Sequence, residues 1–205
     1  MNKIRIPSIY AEMTPNPMTM KFVADYMLLP DGVQLEIMNA GAAGESPLAL
    51  ELFRMPFVKG VYIAANFVTV LKNDKASWND VAFDVRDFIK DFIGSGGKIW
   101  NPTAPKASDD LQNNLTTAQE QFVSHAEPAN SSEQKIIDAI EEHIKPAVES
   151  DGGLILFRSF KDGVVTLQLK GSCNGCPSSA ITLKAGVEQL LKRVVPEVTE
   201  VIQEM

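Results

Sequence analysis

The residues best suited to chemistry are the two cysteines of the chain, Cys173 and Cys176, separated by Asn174-Gly175 and followed at once by Pro177-Ser178-Ser179. Proline suits the first position of a helix, where no amide donor is lost. The pair is therefore expected on a strand-to-helix loop, beside unpaired amides and the positive end of a helix dipole, and both favour thiolate. Gly171 and Gly175 keep bulk away from the sulfurs, and Gly175 can supply a positive φ or an amide donor where sulfur crowds the backbone. Cysteines that only fill a core act as small hydrophobes and need no such spacing. Two at this spacing between glycines read as functional.

Thiolate pairs serve metal ligation or dithiol exchange, and spacing alone does not separate the two. Tetrahedral zinc and iron-sulfur clusters usually take four ligands, while this chain offers two cysteines and two histidines. His125 reads as a solvated linker residue and His143 as a surface position of an amphipathic helix. The missing ligands are expected from a second copy, because a two-fold homodimer brings four thiolates together across its axis. A structural zinc clasp uses the same donors and stays open as a reading. A thioredoxin-like dithiol oxidoreductase fits less well: its site generally lies on an early βα unit, whereas one helix and a short strand are all that follow Cys176.

The elements that must hold this loop follow an α-β-β-α-β pattern. Ser131 with Gln134 fits a capping box, and Ile136, Ile137, Ile140, Ile144 and Val148 form one apolar face, with Pro146 kinking or ending the helix. Asp151-Gly152-Gly153 turns out of it. Leu154 to Phe160 and Val164 to Lys170 are expected to pair as a hairpin through Lys161-Asp162-Gly163. The helix opened by Pro177 carries Ile181, Val187, Leu190, Leu191 and Val194, and Val198 to Ile202 closes as a short strand.

The first part of the chain reads differently. Thr19 to Leu29 and Val33 to Met38 flank Pro30-Asp31-Gly32 and are expected to pair as a hairpin. Ser46-Pro47 opens a helix through Leu52 and Phe53. Val61 to Leu71 is β-rich, with Asn66 near its middle. Ser77 starts a second helix whose Trp78, Val81, Val85, Phe88, Ile89 and Phe92 form an apolar stripe ending at Gly94. Asp84, Asp87 and Asp91 read as its solvated face. The expectation is two helices on a small antiparallel sheet, with no chemistry of its own.

Between Gly94 and Ser132 the text turns rich in Gly, Pro, Ser, Asn and Thr. Such a stretch is too long for a loop inside one compact domain. The division expected is residues 1–93, a flexible linker over 94–132 with a loose helix at Leu111 to Val123, and residues 133–205. The fold class is α+β, two small domains each with a small antiparallel or mixed sheet packed with two helices.

With 205 residues, 45% of them apolar and 22% charged, the chain has an ordinary globular composition. A net charge of −7 removes the electrostatic drive for nucleic-acid binding. The apolar run from Gly60 to Leu71 is broken by Asn66 and Thr69 and falls short of the roughly 20 residues of a membrane span. Lys3, Arg5 and Pro7 interrupt the start of the chain, unlike an export signal. Two cysteines only three positions apart cannot form the framework of a secreted disulfide protein. A reducing, cytoplasmic location is expected.

Beyond these readings, the run from Gly163 to Leu191, with Gly171-Ser172-Cys173 and Cys176-Pro177 at its centre, resembles the C-terminal domain of NifU and the Nfu-type iron-sulfur cluster scaffold and carrier proteins. Asp151-Gly152-Gly153 before it and Pro196-Glu197-Val198 after it share the likeness, which spans residues 133 to 205. Thr14-Pro15-Asn16-Pro17, Lys21-Phe22, Ser46-Pro47-Leu48-Ala49 and Leu52-Phe53 look like the Nfu N-terminal domain. The resemblance implies a non-enzymatic carrier that binds a 4Fe-4S cluster, with a 2Fe-2S form as the alternative, between two subunits through Cys173 and Cys176 of each. It further implies upstream cluster-assembly proteins as donors, apo iron-sulfur proteins as acceptors, and a role for the N-terminal domain in partner or target interaction.

Overall fold

The computed structural model describes residues 7–30, 32–102, 125–173 and 177–204, with the side chains of 177–183 excepted. The chain splits into two compact units, Met1–Gln112 and Asn113–Met205. Both mix sheet and helix, the α+β class expected.

The first unit holds strands β1 (Ile9–Met13), β2 (Thr19–Ala24), β3 (Gln34–Ile37), β4 (Val58–Ala64) and β5 (Phe67–Lys72), all paired antiparallel in the order β1-β2-β5-β4-β3. The Thr14-Pro15-Asn16-Pro17 motif makes the β1-β2 turn. The Asn16 carbonyl accepts from Thr14 Oγ1, Thr19 Oγ1 and the Thr19 amide, so a polar turn with a buried Asn is satisfied internally.

The expected hairpin between β2 and β3 does not form. β2 lies between β1 and β5, and β3 pairs with β4 at the far edge. The β-rich run Val61 to Leu71 instead folds back on itself at Ala65-Asn66, with Ala65 at φ +44°. That turn takes the backbone groups a β2-β3 hairpin would have used: Leu28 and Leu29 amides both donate to the Ala65 carbonyl, and the Ala24 amide donates to that of Asn66. Asp31 of the expected turn lies outside the described residues.

Helix α1 (Pro47–Leu52) is capped as expected by Ser46, whose Oγ accepts from the Ala49 amide at 3.2 Å and donates to the Ile99 carbonyl at 2.7 Å. Helix α2 (Trp78–Gly94) is capped by Ser77. Its Val85, Ile89 and Ile93 are buried in one apolar core with Phe22, Leu48, Leu52, Ile63 and Val68, while Asp84, Asp87 and Asp91 are exposed. Ile99 and Trp100, within the polar stretch that begins at Gly94, pack against the same core.

In the second unit, helix α3 (Ser131–Ala139) runs through a π turn (Ile140–Ile144) into α4 (Lys145–Ser150). Pro146 therefore does not end the helical path; the missing amide is absorbed by the wider turn just before it. The cap is Asn130, one residue before the Ser expected. Asn130 Oδ1 accepts from the Glu133 amide, and Glu133 Oε2 accepts from the Ala129 amide. Strands β6 (Gly153–Lys161) and β7 (Val164–Gly171) form the expected hairpin, with Asp162 and Gly163 both at positive φ. After α5 (Pro177–Val194), β8 (Glu200–Gln203) pairs parallel to β7, giving the order β6-β7-β8. Ile136, Ile140, Ile155, Phe157, Val165, Leu191 and Cys173 share its core.

Both edge strands carry a local stopper. A bulge in β6 lies between Phe157 and Ser159. There the Phe157 amide donates to His125 Nδ1 at 2.7 Å, and its carbonyl accepts from the Ala126 amide at 2.9 Å. On β8, the Val201 amide donates to Glu188 Oε2 at 3.1 Å.

Candidate metal centre

Cys173 stands two residues past the end of β7. The strand stops because Gly171 takes φ +66°, and the chain then folds over the turn that leaves α4. Ser172 ties the two together: its amide donates to the Gly152 carbonyl at 3.1 Å and its Oγ donates to the Asp151 carbonyl at 2.5 Å. Gly152, at φ +76°, presents that carbonyl. Cys173 is thereby held 6% exposed, with its Sγ 3.8 Å from Ser172 Oγ. Cys176 lies outside the described residues, and α5 begins immediately after it.

The structure gives the histidines different fates. His143 is exposed, 3.9 Å from Glu142, as expected of a helix surface. His125 is not the solvated residue its surroundings suggested: its side chain is 13% exposed, and it accepts from the Phe157 amide at Nδ1. That assigns the neutral ring's proton to Nε2, which donates to Glu141 Oε1 at 2.7 Å. Burial lowers the His125 pKa below 6.5, aided by the charges of Lys145 and Arg158 and opposed by Glu141. Burial pushes the Glu141 carboxyl up, but hydrogen bonds from Lys145 and His125 outweigh it and hold the pKa below 4.5. Both ring nitrogens of His125 are thus engaged away from any metal.

Among the described residues no group of three His, Cys, Asp or Glu side chains is arranged to hold a metal ion. What they do supply is one buried thiol at a strand end, anchored through its neighbour, with a helix N-terminus following. A soft, polarisable donor in this setting fits soft metals, and a second thiol three residues on fits a shared site. The sequence pointed to the cysteines but not to the packing of Ser172 on Asp151 and Gly152, since no local pattern announces a contact between a hairpin's far end and the turn before it.

Comparison with known proteins adds a family. Residues 9–96 match the family described as scaffold protein Nfu/NifU N terminal, and residues 136–202 match the NifU-like domain. A human protein named iron-sulfur cluster scaffold homolog NFU1, mitochondrial, is 33% identical over 207 residues, covering 98% of this chain and 74% of that one. The chain belongs to the Nfu/NifU scaffold family. A Nfu protein of the same name from Drosophila sechellia is 35% identical over 195 residues, 95% of this chain, which spans 64% of that relative's length. The solution structure of a NifU-like protein from Saccharomyces cerevisiae is 26% identical and aligns with a TM-score of 0.44, covering 50% of this chain and 91% of that one. Cys173 and the anchoring turn at Asp151-Gly152-Gly153 both fall within the NifU-like match.

Proposed function

We propose that this chain is an iron-sulfur cluster carrier whose cargo is a 4Fe-4S cluster bound by Cys173 and Cys176 of two copies. The observation that carries the reading is the position of Cys173: inside the NifU-like match, buried at a strand end and fixed by Ser172 to the preceding turn. One chain offers two thiolates, four-ligand clusters need four, and a two-fold pair meets the count. Cargo bound between two chains is released when they part, which suits delivery to apo-proteins and needs no catalytic turnover. The first unit, with a hydrophobic core and a capped helix pair, serves recognition of donors or acceptors. A reducing compartment keeps the thiols competent; the cytoplasmic assignment is part of the proposal and is checked by cell fractionation.

Anaerobic reconstitution followed by absorption, iron and sulfide analysis and sizing tests it. Wild type is expected to take up iron and sulfide and to size as a dimer, returning toward monomer on cluster removal by linkage. Cys173→Ser and Cys176→Ser are each expected to abolish stable binding. Normal iron and sulfide in either variant overturns the ligand set. Zinc without sulfide would favour a structural clasp, and disulfide reductase activity without iron would favour the dithiol reading.

A further inference from the structure

We infer that Gly153 is a positioning residue for the Cys173 thiol, required at that place for lack of a side chain and not for its backbone angles. The two glycines of Asp151-Gly152-Gly153 are there for different reasons. Gly152 occupies the left-handed region at φ +76°, where a side chain is strained. Gly153 is not in that region. It opens β6 and is paired with Gly171 at the end of the β6-β7 ladder. A Cβ built on it would stand 2.8 Å from Cys173 Sγ, 2.9 Å from the Lys170 carbonyl oxygen and 3.3 Å from Cys173 Cβ.

Those neighbours differ in how they can give way. The Lys170 carbonyl belongs to β7, facing residues already fixed by the ladder, so its retreat would open the strand pair. The Cys173 sulfur is one rotation from a different place, since its side chain has a single heavy-atom torsion. The backbone around it is held: Ser172 is pinned by two hydrogen bonds to Asp151 and Gly152, immediately before Gly153. The turn therefore acts as a floor on which the sulfur rests, and a methyl group at 153 raises that floor. Turning the thiol out of the core relieves the closest contact, and the 2.9 Å approach to the Lys170 carbonyl is left to a small shift at the strand end.

Gly60 is a useful contrast. A Cβ there meets the sulfur of Met38 at 3.0 Å, the far end of a long, adaptable side chain, so the neighbour moves and nothing functional is displaced. At Gly153 the movable neighbour is the group assigned as a ligand. The consequence for cargo rests on that assignment; the placement of the thiol does not.

The test uses the full chain, wild type against Gly153→Ala, with two readouts. In the first, alkylation of Cys173 by iodoacetamide in metal-free protein is followed by peptide mass spectrometry. The rate is expected to rise about tenfold in Gly153→Ala, the factor that about 1.4 kcal/mol of easier opening produces. In the second, iron and sulfide after anaerobic reconstitution are expected to fall below wild type or to be lost faster. An unchanged alkylation rate overturns the inference whatever the iron content. Wild type that binds no cluster defeats the carrier reading and leaves the alkylation result to judge Gly153 alone. Where Gly153→Ala lowers stability, the same change is made in a Cys173→Ala background. A smaller loss there shows that the methyl and the thiol compete for one space. An equal loss assigns the whole effect to the Lys170 carbonyl and overturns the inference.

Discussion

The two units solve the same packing problem and spend their glycines differently. In the first, the core is closed by apolar side chains from five strands and two helices, and its buried polar residues such as Asn16 and Ser46 are consumed by turns and caps. In the second, a three-stranded sheet leaves one core position to a thiol, and the residues around it are Gly152, Gly153, Gly171 and a doubly bonded Ser172. The lesson is that the thiol sits where side-chain packing has been surrendered to backbone. Among the described residues the first unit buries more kinds of side chain, while the second gives up bulk at one corner and buries a thiol there.

That contrast can be broken by showing that the units are not independent in stability or cargo. The largest effect is expected from Ile89→Ala, which hollows the core of the first unit. A fully buried Ile truncated to Ala should cost about 2–5 kcal/mol. It should appear in that unit's unfolding alone, leaving the second unit's transition and iron content unmoved. Calorimetry that shows both transitions shifting together would mean the two cores unfold as one.

A smaller loss sharpens the other side. Asn130→Ala removes the oxygen that accepts from the Glu133 amide and should cost the second unit about 1 kcal/mol. The corresponding Ser131→Ala, at the position that pattern alone suggested as the cap, should cost less. Chemical denaturation of the two variants decides between the caps, and equal losses would remove the distinction.

The smallest effect concerns acid. The folded-state pKa of His125 lies below its ordinary 6.5, so the unfolded chain takes up the proton first. The stability this site provides is complete above pH 6.5 and is lost as pH falls through the lowered folded value. Glu141, also lowered, from 4.5, extends the loss into more acidic solution. His125→Asn can still accept from the Phe157 amide through Oδ1 and does not titrate there. It should flatten the melting temperature of the second unit against pH just below 6.5. A wild-type profile equally flat in that window would show that the His125 contact carries no stability.

How much of this was legible depends on whether the signal was local. The β6-β7 hairpin, the helix faces and the caps of α1 and α2 could be read because glycine, serine and apolar period lie within a few residues of the feature they cause. The partner of β2 could not: Pro30 and Gly32 mark a turn without saying which strand will pair, and the true β4-β5 turn carries Ala at φ +44°, where no glycine announces it. His125 was hidden for a related reason. Its polar neighbours suggested solvent, while its partners Phe157 and Glu141 come from elements distant in sequence. At the candidate site the cysteines were plain from spacing, whereas the floor beneath Cys173 exists only once β6 and β7 are paired.

The stoppers on β6 and β8 have a consequence for encounters. A sheet whose outer amides are free invites another chain to add a strand, and such an addition is held by a register of backbone bonds that must all be undone before the partners separate. Here Phe157 is already occupied by His125 and Ala126, and Val201 by Glu188, so a visiting strand would first have to evict them.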